Sequence, residues 1–251
     1  FNYLVKKYDQ LKYIQFIDGD CELLEGWIAI GFQFLESNFT CAIVAGRTKE
    51  RHPEQSIYNL LCDIEWNIPA GETEVCGGIF MIRRRAFEQV KGFNPTIAAG
   101  EEPELCYRLR KNNWSIFRLD KIMTLHDAAI TRFSQWWTRT VRTGHAYAQN
   151  YTLHAHEGHL YCFKESAKSW FWAFIFPAIV LILTLTINIY FLILFIVYFI
   201  LFVKIFFNMH KRIANVKHTV IYTFFIIIGK FPQFIGQLIF IKRILFNKNI
   251  S

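Results

Sequence analysis

The chain has 251 residues, enough for one packed domain with additional elements, and at 53% hydrophobic and 18% aromatic residues it is too apolar for a simply soluble protein. Its net charge of +8 is not evenly spread: residues 1–169 carry 20 basic and 20 acidic side chains, and residues 170–251 carry the remaining 28 − 20 = 8 basic residues with no acid. Basic residues flanking apolar segments suit an anionic membrane face, whereas nucleic acid calls for a basic patch on a polar surface, so no nucleic-acid partner is expected.

Six cysteines (Cys21, Cys41, Cys62, Cys76, Cys106 and Cys162) are widely and irregularly spaced with no CxxC pair, a pattern that reads as buried thiols in a reducing compartment. The first residue is Phe1 rather than Met and no signal peptide is visible, so the natural start is expected to lie upstream.

In chain order, Tyr13 to Ile17 form a short apolar run that predicts a fully buried parallel strand. Leu23, Leu24, Trp27, Ile28, Phe32 and Leu35 recur at helical spacing and predict a helix ending near Ser37-Asn38. Cys41 to Ala45 reads as a buried strand. Within the polar stretch 47–75 one helix is expected around Ser56 to Glu65. Val75 to Ile82 predicts a strand with the pair Gly77-Gly78 at its start. Arg84 to Val90 predicts a short helix closed by Lys91-Gly92, Pro103 to Lys111 a second, and Ser115 to Leu119 a strand. Strands alternating with helices imply an α/β layer domain.

From Ser169 to Val203 there are 35 residues without a formal charge. One helix of that length would run about 52 Å, beyond the roughly 30 Å hydrocarbon core. Two spans with a turn near Thr184 to Asn188 fit better than one tilted helix. Lys164 and Lys168 precede the pair and Lys204, Lys211, Arg212 and Lys217 come after it, so the positive-inside rule places both flanks, and residues 1–168, in the cytoplasm. The stretch Thr219 to Gly229 is short, and Lys230 and Pro232 interrupt the apolar run beyond it. An interfacial or re-entrant segment is expected there.

Several groups of residues could carry chemistry. In open α/β sheets ligands sit beyond the carboxyl ends of the strands, and the run YIQFI delivers Asp18-Gly19-Asp20 to such an edge. Carboxylates two apart in a tight turn can converge on one divalent cation, which Mg²⁺ typically shares with substrate phosphates; Asp-Gly is equally an ordinary turn dipeptide. Glu101-Glu102-Pro103 puts two acids on a loop entering a helix, open to a cleft, or else acids that simply complement the helix dipole. His126 comes after a strand and could lend a nitrogen to a metal held by an Asp. Trp136, Trp137, Arg139 and Arg142 could bind a diphosphate or stack on a sugar, or could form an interfacial aromatic belt. His154, His156 and His159 resemble a zinc site only loosely, because no acid or cysteine completes the spacing.

Taken together, Asp18-Gly19-Asp20, the Gly77-Gly78 segment with Phe80 to Arg84, Gly92-Phe93, Glu101-Glu102 with Leu105 and Arg108, and the Trp/Arg helix resemble a family 2 glycosyltransferase of GT-A fold over residues 10–165. The resemblance implies a partial GT-A, Rossmann-like mixed sheet flanked by helices at 1–165, and the apolar and basic pattern beyond it predicts a transmembrane hairpin at 166–206 and a basic loop with an interfacial or re-entrant amphipathic segment at 207–251. The resemblance implies Asp18 at the nucleotide or metal, Asp20 as direct metal ligand, and His126 completing the metal or diphosphate site. It further implies Glu102 as catalytic base, with Glu101, Gly77 and Gly78 toward the acceptor and Trp137, Arg139 and Arg142 toward the donor diphosphate. The cofactor is then Mg²⁺ or Mn²⁺, and the partners are a nucleotide-sugar donor, a glycan or lipid-linked acceptor and membrane lipid. The reaction is an inverting transfer at the cytoplasmic face of the plasma or inner membrane. The Gln/Arg/Trp pattern of processive members is matched imperfectly. A processive polysaccharide synthase and a non-catalytic membrane scaffold or channel component remain as alternatives. The strands that carry the nucleotide half in this family precede Tyr13, so this chain alone is expected to bind a sugar nucleotide poorly.

Overall fold

The computed structural model describes residues 10–97, 99–155 and 161–246, which fall into two compact units, residues 10–131 and 132–246. The first unit is built on a mixed sheet of β1 (Tyr13–Phe16), β2 (Cys21–Leu23), β3 (Cys41–Glu50), β4 (Gly71–Glu72), β5 (Phe80–Arg83) and β6 (Ser115–His126). The order is β1-β5-β3-β6-β2, with β4 added to β6. Among the described residues only β3 and β6 run parallel. β1 pairs antiparallel with β5, Tyr13 opposite Arg83, so the expected buried parallel strand is a half-buried antiparallel one.

Helices α1 (Trp27–Ser37), α2 (Ile57–Trp66), α3 (Arg84–Gln89) and α4 (Glu101–Lys111) flank this sheet. The core gathers the apolar centre of β3, Cys41 to Ala45, with Ile82, Leu105, Leu109 and Ile116, all essentially without exposure. Each such aliphatic side chain contributes about 1.5–3 kcal/mol by leaving water. Phe16 at the end of β1 packs against Phe80, Phe87 and Phe93 at 5.1–5.5 Å between ring centres. α2 starts where the sequence marks it, with the Ser56 hydroxyl accepting from Asn59 N–H at 2.9 Å.

Three elements start away from their expected positions, and β3 and β6 run on past their expected ends to Glu50 and His126. The helix expected from Leu23 begins only at Trp27, because Cys21 to Leu23 pair with β6 and Gly26 takes a left-handed turn at φ +79°. The strand expected from Val75 is confined to Phe80–Arg83, since Gly77 at φ +85° turns the backbone before it. α4 begins at Glu101 rather than at Pro103, which the first turn tolerates because its amide nitrogens have no intrahelical partner.

Two buried charged side chains brace this unit. Arg83 donates to the carbonyls of Leu35, Asn38 and Cys41 and to the Tyr13 hydroxyl, tying β5 to the end of α1. Glu50, 1% exposed, accepts from His52 N–H, Asn59 Nδ2 and Ala128 N–H, tying the end of β3 to α2 and to the chain after β6.

The second unit is helical. α5 (Phe133–His154) leads to α6 (Phe163–Thr186), which contains one π-helical stretch at Phe171–Ile175, and then to α7 (Ile189–Ile213), which opens in 3₁₀ form. The turn between α6 and α7 falls at Ile187-Asn188, where Asn188 Oδ1 accepts from Tyr190 N–H at 2.9 Å. α8 (Val216–Ile228) and α9 (Lys230–Phe246) form a third long apolar segment, interrupted at Gly229 alone. Among the described residues, three helices, Phe163–Thr186, Ile189–Ile213 and Val216–Phe246, are thus long and apolar enough to cross a membrane. α9 crosses α5 at Gly144 and Gly236: a Cβ on Gly236 would fall 2.0 Å from Val141 O, and one on Gly144 1.9 Å from Gln233 O. The polar side chains of α9 face α6: Gln237 Oε1 accepts from the Ser166 hydroxyl at 2.8 Å and Trp170 Nε1 at 3.0 Å, and Gln233 Oε1 accepts from the Ser169 hydroxyl at 3.0 Å.

Candidate active site

β1 ends in a four-residue turn, Asp18 to Cys21, closed by Cys21 N–H to Asp18 O at 3.2 Å. The chain then enters β2, whose Cys21 stands opposite His126 at the end of β6, and Asp127 N–H bonds to Asp20 O at 3.2 Å. This pairing carries His126 Nε2 to within 3.3 Å of Asp20 Oδ1. The Cys21 thiol lies 3.6 Å from the same oxygen. Asp20 Oδ1, Cys21 Sγ and His126 Nε2 form one group of donor atoms that could hold a metal ion. His126 is held from its other side by Trp66, at the end of α2, stacked on the imidazole at 4.4 Å and 4°.

Asp18 lies against the glycine pair. A Cβ on Gly78 would meet Asp18 Oδ2 at 2.8 Å, so a side chain at this position would displace the carboxylate. Partial burial pushes the Asp18 carboxyl above the usual carboxylate range; His126 pulls it down, and the negative charges of Asp20 and Glu101 push it up. The Cys21 thiol is pushed up to about 12, by burial first and then by the charges of Asp20 and Asp18. Negative charge accumulated beside an imidazole nitrogen is the environment that a divalent cation offsets, and the oxygen and nitrogen donors at this edge fit one.

The acid pair divides. Glu101 is exposed, and its charge acts on Asp18. Glu102, expected on a loop open to a cleft, sits instead inside the first turn of α4 at 6% exposure. Its Oε1 accepts from Cys76 N–H at 2.7 Å and from the thiols of Cys76 and Cys106, each at 3.0 Å. The reason is helical spacing: Glu102 and Cys106 are four residues apart on the α4 face that packs toward Cys76.

Trp137, Arg139 and Arg142 lie on α5, in the second unit. Trp136 is buried there, edge-on to Phe225 at 4.7 Å, while Arg142 is exposed. His154 is buried at the end of α5; His156 and His159 lie outside the described residues. Sequence reasoning did not single out Trp66 or Cys21 as site residues. Cys21 could have been found from its position directly after Asp20, whereas nothing local marks Trp66, 60 residues before the histidine it covers.

Residues 61–132 match the family described as the N-terminal domain of galactosyltransferase, a span that contains Gly77, Gly78, Glu101, Glu102 and His126. No curated protein matches the chain in sequence. Among solved structures the chain is similar to the mannosyltransferase PcManGT from Pyrobaculum calidifontis, described in complex with GDP-mannose and Mn²⁺. The two are 12% identical with a TM-score of 0.59, over 99% of this chain and 66% of that one. The chain therefore spans just under two thirds of its neighbour's length. The fold is a GT-A-like mixed α/β sheet flanked by helices and continued by three long apolar helices.

Proposed function

We propose that the chain transfers a sugar, with inversion, from a nucleotide-sugar donor to a glycan or lipid-linked acceptor at the cytoplasmic face of a membrane. The observation that carries this reading is the convergence of Asp18, Asp20, His126 and the charge of Glu101 on one sheet edge. The match of residues 61–132 to a galactosyltransferase domain and the likeness to a fold that binds GDP-mannose support it. The order of motifs supports membership of family 2.

Asp20 and His126, with Asp18 beside them, are the residues to hold Mn²⁺ or Mg²⁺. Bound there, the cation supplies positive charge against the leaving nucleoside diphosphate. Glu101, exposed and within the field of this edge, is the acid free to take the acceptor hydroxyl proton. Glu102, whose carboxylate is already engaged by Cys76 and Cys106, holds α4 in place. Gly78, which lies against Asp18, and its neighbour Gly77 are assigned to the acceptor side on the resemblance. Trp137, Arg139 and Arg142 are assigned to the donor diphosphate on the resemblance. The basic flanks of the apolar helices support a cytoplasmic orientation by the positive-inside rule.

The test is a panel of radiolabelled GDP- and UDP-sugars offered to the detergent-solubilised chain with Mn²⁺ or Mg²⁺. Transfer or donor hydrolysis that is lost in Asp20→Asn supports the reading. Full activity in Asp20→Asn and in His126→Ala would refute the site, and no donor binding even by a longer protein that adds strands upstream of Tyr13 would favour a non-catalytic membrane component.

A further inference from the structure

We infer that Cys76, Cys106 and Glu102 form a second cation site, distinct from the Asp18–Asp20–His126 edge, that takes a thiophilic divalent ion of the zinc class. The two sulfurs lie 3.5 Å apart, and each is 3.0 Å from Glu102 Oε1. The three donor atoms form one compact group, and the residues are 2%, 0% and 6% exposed. Two thiolates and one carboxylate select zinc-like ions over magnesium or manganese, which prefer oxygen donors. The donors come from two segments: Cys76 from the turn before β5, and Glu102 and Cys106 from successive turns of α4.

Charge balance permits the site despite its burial. The guanidinium of Arg118, itself 2% exposed, donates to Cys76 O at 2.7 Å and to Gly46 O at 2.6 Å, and its charge offsets that of Glu102. Binding forms two metal–sulfur bonds and releases the two thiol protons to solvent. Two positive charges enter and two leave, so the buried net charge does not change. A disulfide would consume the same sulfurs but strip Glu102 Oε1 of two of its three donors, leaving a buried carboxylate poorly satisfied. A bound ion instead engages all three groups at once. It would fasten the turn bearing Gly77-Gly78 to the helix bearing Glu101, making these three positioning residues rather than catalytic ones.

The test uses the full chain in detergent under reducing conditions, titrated with Co²⁺ or Cd²⁺ and monitored by thiolate-to-metal charge-transfer absorption. One equivalent is expected to saturate the band and Zn²⁺ to abolish it. The band should be lost in Cys76→Ser and in Cys106→Ser and kept in Asp20→Asn. Because serine variants could unfold, alkylation of the wild-type chain and then peptide mass spectrometry provide a second readout: Zn²⁺ should protect Cys76 and Cys106 together. Absence of a band and of protection at one equivalent would overturn the inference. So would a band that survives in folded cysteine variants, or a wild-type mass lower by two hydrogens with both thiols blocked, which would identify a disulfide. None of these readouts depends on sugar transfer, so failure of the functional reading leaves this test intact.

Discussion

Trp66 lies flat on the imidazole of His126, 4.4 Å between ring centres and 4° between planes, while Asp20 meets the edge of the ring at Nε2. An imidazole held on its face by an indole and at its edge by a carboxylate presents its nitrogen in one orientation, and groups that orient a metal ligand typically change metal affinity about 10–100-fold when removed. Trp66→Ala should therefore weaken Mn²⁺ binding by about tenfold or more, read from the Mn²⁺ dependence of the melting temperature or from the free Mn²⁺ resonance signal. Trp66→Phe should recover part of that loss. Equal Mn²⁺ affinity in all three proteins would show that the stack does not serve the cation.

The two neighbouring glutamates should separate experimentally. Glu101→Gln should lower kcat by about 10²–10⁴-fold while leaving donor affinity and melting temperature near wild type, the signature of a lost general base. Glu102→Gln should act first on stability, because it removes the negative charge from the oxygen that takes three hydrogen bonds in the interior. The reverse pattern would return the base to Glu102.

Asp18 makes a pH-dependent contribution. Its folded pKa is raised, so the fold favours the protonated acid: that stabilisation is present below the unfolded carboxylate pKa and is lost as pH rises through the raised value. At neutral pH the ionised group opposes folding slightly, its effect limited by solvent access. Asp18→Asn should raise the melting temperature of the cation-free chain at neutral pH by a small amount that vanishes in acid. The same variant should blunt the stabilisation that Mn²⁺ confers. A melting temperature that falls in Asp18→Asn at neutral pH would contradict this account.

In the helical unit, Gly236 sits where a Cβ would fall 2.0 Å from Val141 O and 2.7 Å from His145 N. Gly236→Ala must push α9 from α5, at a cost at the upper end of the ~1–3 kcal/mol usual for overpacking. Thermal unfolding in detergent, monitored by tryptophan fluorescence, should show the loss, and a variant at the exposed Ile239 should not.

Glu50 offers a control far simpler than the site. Glu50→Ala leaves the amides of His52 and Ala128 without their acceptor, each worth about 1–3 kcal/mol when buried. The variant should unfold at markedly lower denaturant with an unchanged slope, reporting lost stability and not a looser native state.

The features that the sequence determined by itself are those that depend on neighbours in the chain. The apolar run ending in Asp18-Gly19-Asp20, the Ser56 cap, the left-handed closure at Lys91-Gly92 and the long uncharged segments all depend on local backbone preference or on hydropathy, and both act within a few residues. Tertiary structure alone decided which of those local pieces meet. Leu23 opens a helical pattern, yet it closes the strand Cys21 to Leu23 because β6, about a hundred residues later, offers an unfilled row of hydrogen bonds. Glu102 reads as a cleft acid until Cys76 is folded against its helix, and desolvation then turns the carboxylate inward to the donors waiting there. Trp66 meets His126, and Asp18 meets Gly78, only because the sheet closes distances that the chain keeps far apart. Chemistry in this protein is therefore written as residue types along the chain, and burial and pairing decide which of those residues remain free to act.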